Sequence, residues 1–382
     1  MKDVIVWGVE TIFRLIYTFF SLFPLQNKVY FSNFSGKRYG DNPKYISEAL
    51  HEKFPDAKIV WQQHYRYPFV TPDYVNIAKW PTFSFLYHMA TSKVWVDSHL
   101  KRSWVKKRRG QYFIETWHGG LGFKKIEGDI ESTSNIEEVQ NAYYTAKLAD
   151  VFVSNSDWLS AIYRRAFRYQ GSILKCGYPK NDIFFKNTDE IRNSVRNYYR
   201  ISSQNRIILY APTFREGLSS KSYIQDFEKV KLAFEKRFDK SCIFFIRLHP
   251  LMIKVANQIY EYSDSIINVT GYGDTQELLI ASDYLLTDYS SIIFDFMLMK
   301  KPGFLYVKDL SEYEQERGLY WKLSECPFPY AMNEGELIQN IMKFNKNEYE
   351  DRISEFENKT GLYEKGTATE TVINLIASKI EK

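Results

Sequence analysis

Runs of residues that are apolar at every position, not at alternate ones, recur along this chain with helical stretches between them. A strand buried on one face alternates apolar and polar side chains; a strand apolar throughout is covered on both faces. The first half of the chain supplies Val29-Tyr30-Phe31-Ser32, Lys58-Ile59-Val60-Trp61, Tyr74-Val75-Asn76-Ile77, Val94-Trp95-Val96, Tyr112-Phe113-Ile114, Val151-Phe152-Val153 and Ile173-Leu174-Lys175. Helices are expected between them near residues 43–53, 82–91 and 136–148, and after a cap at Ser156 or Asp157. The second half repeats the pattern with strands at 207–210, 242–246, 266–269, 284–286 and 304–306. Its helices are expected near 226–238, at 275–281 behind a capping box of Asp274 and Glu277, and at 292–300. This alternation predicts an α/β chain built on two doubly wound parallel sheets.

At 382 residues the chain exceeds one ordinary core, so two domains are expected. The polar, charged stretch over 180–203 marks the division. Residues 26–185 form one Rossmann-like domain and 186–382 the other, facing each other across a cleft. In open α/β sheets a ligand sits outside the carboxyl ends of the strands. The residues of chemical interest fall at those ends.

Trp117-His118-Gly119-Gly120-Leu121-Gly122-Phe123-Lys124-Lys125 follows the strand that ends near Ile114. A loop with so little side-chain bulk admits a ligand close to its backbone. His118 there has the chemistry of a general base near neutral pH. Arg247-Leu248-His249-Pro250 follows the strand at 242–246, and Arg247 and His249 alternate with Leu248, which puts both on one face. Ala211-Pro212-Thr213-Phe214-Arg215 follows the strand at 207–210, where Arg215 has the shape to clamp a phosphate. Thr287-Asp288-Tyr289-Ser290-Ser291 turns from a strand into a helix, and its hydroxyls and free N–H groups suit an anion. Asp295 lies one turn further on. Each of these also has a structural reading, as a cap, an ion pair or a buried histidine. His51, His64, His88 and His99 lack supporting neighbours and are read as structural.

The N-terminus is read separately. Residues 4–25 are strongly apolar, with Glu10 and Arg14 at the i,i+4 spacing that supports a helix. Asp3, Glu10, Arg14, Thr18 and Ser21 form a narrow polar stripe, so residues 1–25 read first as an amphipathic helix lying in a membrane interface. A true span ranks second because a central Arg and Glu are costly in lipid; a signal peptide is disfavoured by the weakly basic start and the lack of a small-residue cleavage site before Pro24, and a buried core helix is a further alternative. The run from Lys101 to Arg109 carries six positive charges and Trp104, which suits the anionic face of a bilayer. The net charge of +5 is compatible with anionic partners. Cys176, Cys242 and Cys326 have no metal-type spacing and read as buried, inert thiols of a reducing compartment.

The chain has no P-loop, no G-x-G-x-x-G before a helix, no H-E-x-x-H and no G-x-S-x-G. No D-x-D pair marks a metal-held diphosphate. A diphosphate would be neutralised by Arg, His and backbone N–H groups, with no metal and no cofactor.

Taken together, Trp117-His118-Gly119 with Lys124-Lys125, Tyr210-Ala211-Pro212-Thr213-Phe214-Arg215, Arg247-Leu248-His249-Pro250 and the run from Ser282 to Ser291 with Asp295 resemble the CDP-glycerol glycerophosphotransferases of teichoic acid and capsule synthesis. Gly177-Tyr178-Pro179-Lys180-Asn181-Asp182 fits as well. The resemblance implies a GT-B-like fold with an acceptor-side N-terminal domain and a donor-binding C-terminal domain. It implies transfer of glycerol phosphate from CDP-glycerol to a hydroxyl of a lipid-linked acceptor, with CMP leaving. The acceptor would be an undecaprenyl-diphosphate-linked saccharide or polyol phosphate, met peripherally at the cytoplasmic face of the membrane, with no nucleic acid involved. By the resemblance, His118 is the base, and His249 is the second catalytic residue. Arg215, His249, Ser290 and Ser291 form the donor diphosphate site, joined by Arg247, Thr287 and Asp288. Trp117, Gly119, Gly120, Lys124 and Lys125 make the acceptor-side loop. The family's usual Thr-Pro-Leu-Lys-Lys is replaced here by a Gly-rich loop one residue longer, which leaves acceptor identity and CDP-glycerol or CDP-ribitol as donor open. The chain is closer in size to the short priming-type members than to the long polymerases. A GT-B glycosyltransferase using a nucleotide sugar, and an inactive membrane-bound scaffold, are the competing readings.

Overall fold

The structure, a computed structural model, describes residues 2–130, 136–213, 223–249, 252 and 260–380. These fall into two compact units. Unit 1 comprises residues 1–120, 126–182 and 363–382, and unit 2 comprises 121–125 and 183–362.

Unit 1 opens with helix α1 (Lys2–Phe20) and continues through β1 (Gln26–Ser32), α2 (Asp41–Lys53), β2 (Lys58–His64), β3 (Val75–Trp80), α3 (Phe83–Thr91), β4 (Ser92–Asp97), β5 (Tyr112–Glu115), α4 (Ile136–Leu148), β6 (Val151–Ser154), α5 (Asp157–Ala166) and β7 (Ser172–Lys175). Its seven strands form a sheet in the order β3-β2-β1-β4-β5-β6-β7, and every pairing is parallel. The strand order reverses between β1 and β4, so the crevice expected of such a sheet opens there. Val29, Phe31, Trp61, Val94, Val96, Phe113, Ile114, Phe152 and Val153 are fully buried, as strands covered on both faces require. Ser156 caps α5 through the Leu159 N–H as read, and Thr82 caps α3 through the Phe85 N–H.

Unit 2 contains α6 (Asp189–Tyr198), β8 (Arg206–Tyr210), α7 (Phe227–Phe238), β9 (Cys242–Ile246), β10 (Ile266–Asn268), β11 (Tyr284–Thr287), β12 (Gly303–Tyr306) and β13 (Tyr330–Ala331). The sheet order is β10-β9-β8-β11-β12-β13, again parallel throughout, with its reversal between β8 and β11. Asp274 caps the helix Thr275–Ala281 through the Gln276 and Glu277 N–H groups. The helix expected from 292 to 300 is shorter, Ile292–Met297.

Two features depart from the expected division. Residues 363–382 do not stay with the second domain. The helix Ala368–Ile380 buries Val372, Ile373 and Ile376, and Lys53 of α2 reaches Glu370 and Asn374. The Asp182 carboxylate accepts the Ala368 and Thr369 N–H groups (3.1 and 2.6 Å), capping that helix from the end of unit 1. Periodicity tells that a helix has an apolar face, not which sheet the face covers. The second departure is the segment 121–125. Leu121 and Phe123 are buried, and the Phe123 ring lies 4.8 Å from that of Phe294. Lys124 bridges Leu319, and the Lys125 N–H donates to the Gly318 carbonyl (3.2 Å). The chain therefore passes into unit 2 immediately after Gly120.

The N-terminal helix is neither wholly buried nor wholly free. Phe13 meets Trp104 at 5.5 Å and Phe20 meets Tyr87 at 5.5 Å. Tyr17 is buried and donates to the Lys106 carbonyl (2.6 Å), and Glu10 pairs with Arg102. Ile12, Leu15, Phe19 and Leu22 are 55%, 67%, 57% and 80% exposed, at helical spacing along another face. Among the described residues no helix is long and apolar enough to cross a membrane. Much of the basic run is committed internally. Lys101 is buried against Asp97, Lys107 pairs with Asp150 (2.6 Å), and Arg108 donates to the Ala90 and Phe23 carbonyls. Lys106 and Arg109 remain exposed. Cys242 and Cys326 are buried and Cys176 partly so; burial pushes all three thiols up to about 12.

Candidate functional site

His118 sits just past β5, beside the strand-order reversal of unit 1. Three neighbouring elements fix it. The Trp117 N–H donates to Glu115 Oε1 (2.8 Å), and the Trp117 carbonyl accepts from Asn42 Nδ2 (3.2 Å) and Thr116 Oγ1 (3.1 Å). The Thr116 N–H and hydroxyl both donate to the Asp97 carbonyl (2.8 and 3.0 Å). These contacts hold Trp117 at φ 53°, a conformation that costs an L-residue energy and persists only where neighbours impose it. On the other side, Tyr178 donates to the Gly119 carbonyl (2.9 Å), and Lys180 reaches the His118 carbonyl (3.4 Å). A Cβ on Gly120 would lie 2.4 Å from Asn155 Nδ2, so no larger residue fits there without movement.

The imidazole is half-buried, with the Trp117 ring at 4.2 Å and the Phe34 ring at 4.8 Å. Its Nδ1 lies 2.9 Å from the Ser98 carbonyl. A carbonyl only accepts, so Nδ1 carries the proton and Nε2 is left with its lone pair. Desolvation lowers the His118 pKa below the ordinary imidazole value. The Ser98 carbonyl, Asp41 and Asp97 oppose that shift, and Lys180 adds to it. The result is a neutral, oriented imidazole with an available Nε2.

Ser98 is itself held. Asp97 Oδ1 accepts the Ser98 and His99 N–H groups (2.7 and 3.2 Å), and the Ser98 hydroxyl donates to Asn33 Oδ1 (2.7 Å). Asp97 pairs with Lys101 and lies opposite Glu115 on the neighbouring strand. Burial and the Asp97 charge push the Glu115 carboxyl well above its usual range. Sequence reading missed Asp97, Ser98 and Glu115. It also treated His99 as unrelated, although its ring lies 6.0 Å from that of His118. The Gly177–Asp182 stretch is held from the C-terminal segment. Glu364 accepts from Asn155 Nδ2, Asn181 Nδ2 and the Tyr178 N–H, at 3.2, 2.9 and 3.1 Å.

In unit 2 the candidates sort into two groups. Ser290 and Ser291 are partly exposed, and neither hydroxyl makes a hydrogen bond to a described residue; Ser291 occupies the N-cap position of the helix Ile292–Met297 without capping it. His249 is exposed at the end of β9. A Cβ on Gly122 would lie 3.9 Å from the Ser291 Cβ, so the Gly-rich segment lies over that turn. The Lys124 ammonium lies 5.5 Å from the Tyr313 ring, itself stacked on Tyr289 at 3.8 Å. Lys124 and Lys125 therefore lie in unit 2, whereas Trp117, Gly119 and Gly120 lie in unit 1.

The second group braces the first. The Thr287 hydroxyl donates to the Ala211 carbonyl (2.6 Å), and the Asp288 carboxylate accepts the Thr213 N–H (3.0 Å) and hydroxyl (3.0 Å). Both are buried and tie the end of β11 to the segment leaving β8. Arg247 is buried and donates to the Tyr272 carbonyl and the Thr275 hydroxyl (both 2.9 Å), while His249 is exposed. The neighbouring loop at 272–275 offers acceptors that sequence alternation does not reveal. Asp295 accepts from Gln276 Nε2 (3.2 Å). Arg215 and Pro250 lie outside the described residues.

A family model for CDP-Glycerol:Poly(glycerophosphate) glycerophosphotransferase matches residues 15–378. The teichoic acid glycerol-phosphate transferase of Staphylococcus aureus (strain NCTC 8325 / PS 47) is 30% identical over 392 aligned positions, covering 98% of each chain. The teichoic acid poly(glycerol phosphate) polymerase of Bacillus spizizenii is 29% identical over 381 residues, covering 95% of each. Of these two relatives of matching length one is named a transferase and the other a polymerase, so this chain's size does not set it apart from polymerases. The solved structure of the wall teichoic acid polymerase TagF superposes with a TM-score of 0.84 at 24% identity, covering 100% of this chain and 96% of that one, which supports the GT-B-like fold. The matched span takes in every motif described above, and this chain belongs to the CDP-glycerol:poly(glycerophosphate) glycerophosphotransferase family.

Proposed function

We propose that this chain transfers glycerol phosphate from CDP-glycerol to a hydroxyl of a lipid-linked teichoic acid or capsule acceptor and releases CMP. The observation that carries the reading is the His118 imidazole, whose Nδ1–H is committed to the Ser98 carbonyl and whose Nε2 is available as a base. The acceptor hydroxyl gives its proton to Nε2. Its oxygen forms a bond to the phosphorus next to glycerol, and the bond from that phosphorus to the oxygen bridging to CMP breaks. His249, Ser290 and Ser291, with Arg215, hold the diphosphate and stabilise charge on the leaving group. Thr287, Asp288 and Arg247 position those groups without touching the donor. Glycerol is preferred over ribitol because the family model and the relatives at 29% and 30% identity are named for glycerol phosphate.

The reaction is placed at the cytoplasmic membrane surface, where a lipid-linked acceptor is met. The stripe Ile12, Leu15, Phe19 and Leu22 supports this, being apolar, exposed and periodic. Lys106 and Arg109 supply positive charge nearby in sequence to Trp104, against which α1 packs.

The test is incubation with CDP-glycerol, CDP-ribitol or a UDP-sugar, each with a lipid-linked saccharide and a lipid-linked glycerol phosphate acceptor. CMP release from CDP-glycerol with a matching gain in acceptor mass is expected. Turnover of the UDP-sugar alone would reject the reading.

A further inference from the structure

The loop from β1 to α2 lies at the strand-order reversal of unit 1, where an open parallel sheet places its ligand. It is an unusual piece of backbone. Phe34, Ser35 and Gly36 have φ of 45°, 57° and 80° in succession, and Asp41 has φ of 57°. A Cβ on Gly36 would lie 2.8 Å from the Gln62 side chain and 3.0 Å from its carbonyl oxygen, so glycine is required there. One side chain of the loop and one from β2 hold it in this form. Asn33 Nδ2 donates to the Gly40 carbonyl (2.9 Å), and Gln62 Nε2 donates to the Ser35 carbonyl (3.0 Å).

This braced loop presents two cations. Lys37 is exposed, 5.8 Å from the Tyr67 ring. Arg38 is half-buried, its guanidinium 5.9 Å from the Phe34 ring, and it donates no hydrogen bond to a described residue. A guanidinium has five N–H donors in a fixed fork, and withdrawing it from water without acceptors is unfavourable. Desolvation lowers the Arg38 pKa, and Asp41 opposes that. The Asp41 carboxylate is itself engaged by the Asn42 N–H (2.8 Å) and by Lys180 (3.9 Å). His99 adds a second unsatisfied group: its Nδ1 is buried without a partner, and its ring lies 5.7 Å from that of Phe34. The Phe34 ring is thus shared by Arg38, His99 and, at 4.8 Å, His118.

We propose that Arg38, with Lys37, binds a phosphate ester anion of the acceptor, one polyol unit away from the hydroxyl that His118 deprotonates. This rests on His118 being the base of the transfer proposed above. A planar fork with no hydrogen-bond acceptor among the described residues matches two oxygens of a phosphate. Fork and base stand against one aromatic ring, the guanidinium 5.9 Å and the imidazole 4.8 Å from Phe34. The anion has two possible sources: the last phosphodiester of a polyol-phosphate acceptor, or the diphosphate of its lipid carrier.

Kinetics with R38Q, R38K and K37Q separate these. R38Q is expected to raise KM for a glycerol-phosphate-ended acceptor about tenfold or more, leaving KM for CDP-glycerol unchanged, with R38K partly restored. A rise confined to that acceptor assigns the site to the polyol phosphate. An equal rise with a saccharide-diphosphate lipid lacking glycerol phosphate assigns it to the carrier. An unchanged acceptor KM, or a raised KM for CDP-glycerol, overturns the proposal. Calorimetric titration with sn-glycerol 3-phosphate decides without turnover. Wild type and H118A should bind it and R38Q should not, at equal melting temperature; equal binding by R38Q overturns the subsite. A wild type that binds it but never releases CMP from CDP-glycerol would reject the transfer reaction and leave the subsite standing.

Discussion

The His118 imidazole and the Ser98 backbone carbonyl, 2.9 Å apart, determine which ring nitrogen is free. Ser98 is placed by Asp97, whose carboxylate also pairs with the buried Lys101. The orientation of the base is thus set from the end of β4, twenty residues before it in the sequence.

Substituting Asp97→Asn removes the charge opposite Lys101 and weakens the hold on Ser98. Breaking a buried ion pair by neutralising one partner costs about 3–5 kcal/mol. Denaturant unfolding should show a loss of that order. Replacing Lys101→Met in the same chain should return much of it, because the uncompensated charge is then gone. The double variant should still transfer more slowly than wild type at unchanged donor KM, since the support of Ser98 remains altered. A double variant with wild-type kcat would show that Asp97 does not position the base.

Asp288 is expected to matter first for stability. Asp288→Ala removes the carboxylate that accepts the buried N–H and hydroxyl of Thr213, at about 1–3 kcal/mol for each bond lost. Thr213→Val removes only the hydroxyl and should cost about 1 kcal/mol. Urea midpoints for the two variants check the order. Asp288→Ala as stable as wild type would return Asp288 to a direct donor-binding role.

How far the sequence revealed these arrangements depends on the signal each one leaves. Strands such as Cys242–Ile246 were legible because burial on both faces forces every position to be apolar. β13, only Tyr330–Ala331, is too short to carry a pattern. His118 was legible as a titratable residue after a strand, but its partner is a backbone carbonyl, which any residue could supply. Alternation along β9 gives Arg247 a side, not the acceptors that the 272–275 loop offers it. The crossing of 121–125 into unit 2 and the return of 363–382 to unit 1 depend on which surface each apolar segment meets, and composition does not encode that.

His88 and His99 make folding sensitive to acid. Desolvation first, and then neighbouring positive groups, lower their pKa values from 6.5 to about 4 and about 3. The unfolded chain therefore binds protons that the folded one refuses. Their contribution to stability is complete above 6.5 and declines as pH falls towards 4 and then 3. Replacing both residues with Asn should flatten the slope of unfolding free energy between pH 6.5 and pH 4 relative to wild type. An unchanged slope would show that these imidazoles are solvated.

The exposed stripe of α1 predicts a membrane phenotype without a folding phenotype. Leu15→Glu with Phe19→Glu alters side chains that are 67% and 57% exposed, so stability should change by less than about 1 kcal/mol. Sedimentation with vesicles containing anionic lipid should fall sharply. Unchanged sedimentation would remove α1 from the membrane contact.

The most direct measurement is the rate of glycerol phosphate transfer from CDP-glycerol by His118→Ala, across pH 5 to 9, beside wild type. Wild-type kcat/KM should fall only below the ordinary imidazole range, because burial lowers the His118 pKa and the base stays unprotonated into mild acid. His118→Ala should lose about 10²–10⁴-fold in rate, and with it the acid limb of the profile, while melting as wild type does. Transfer by His118→Ala at the wild-type rate, with the acid limb intact, would contradict the assignment of the base.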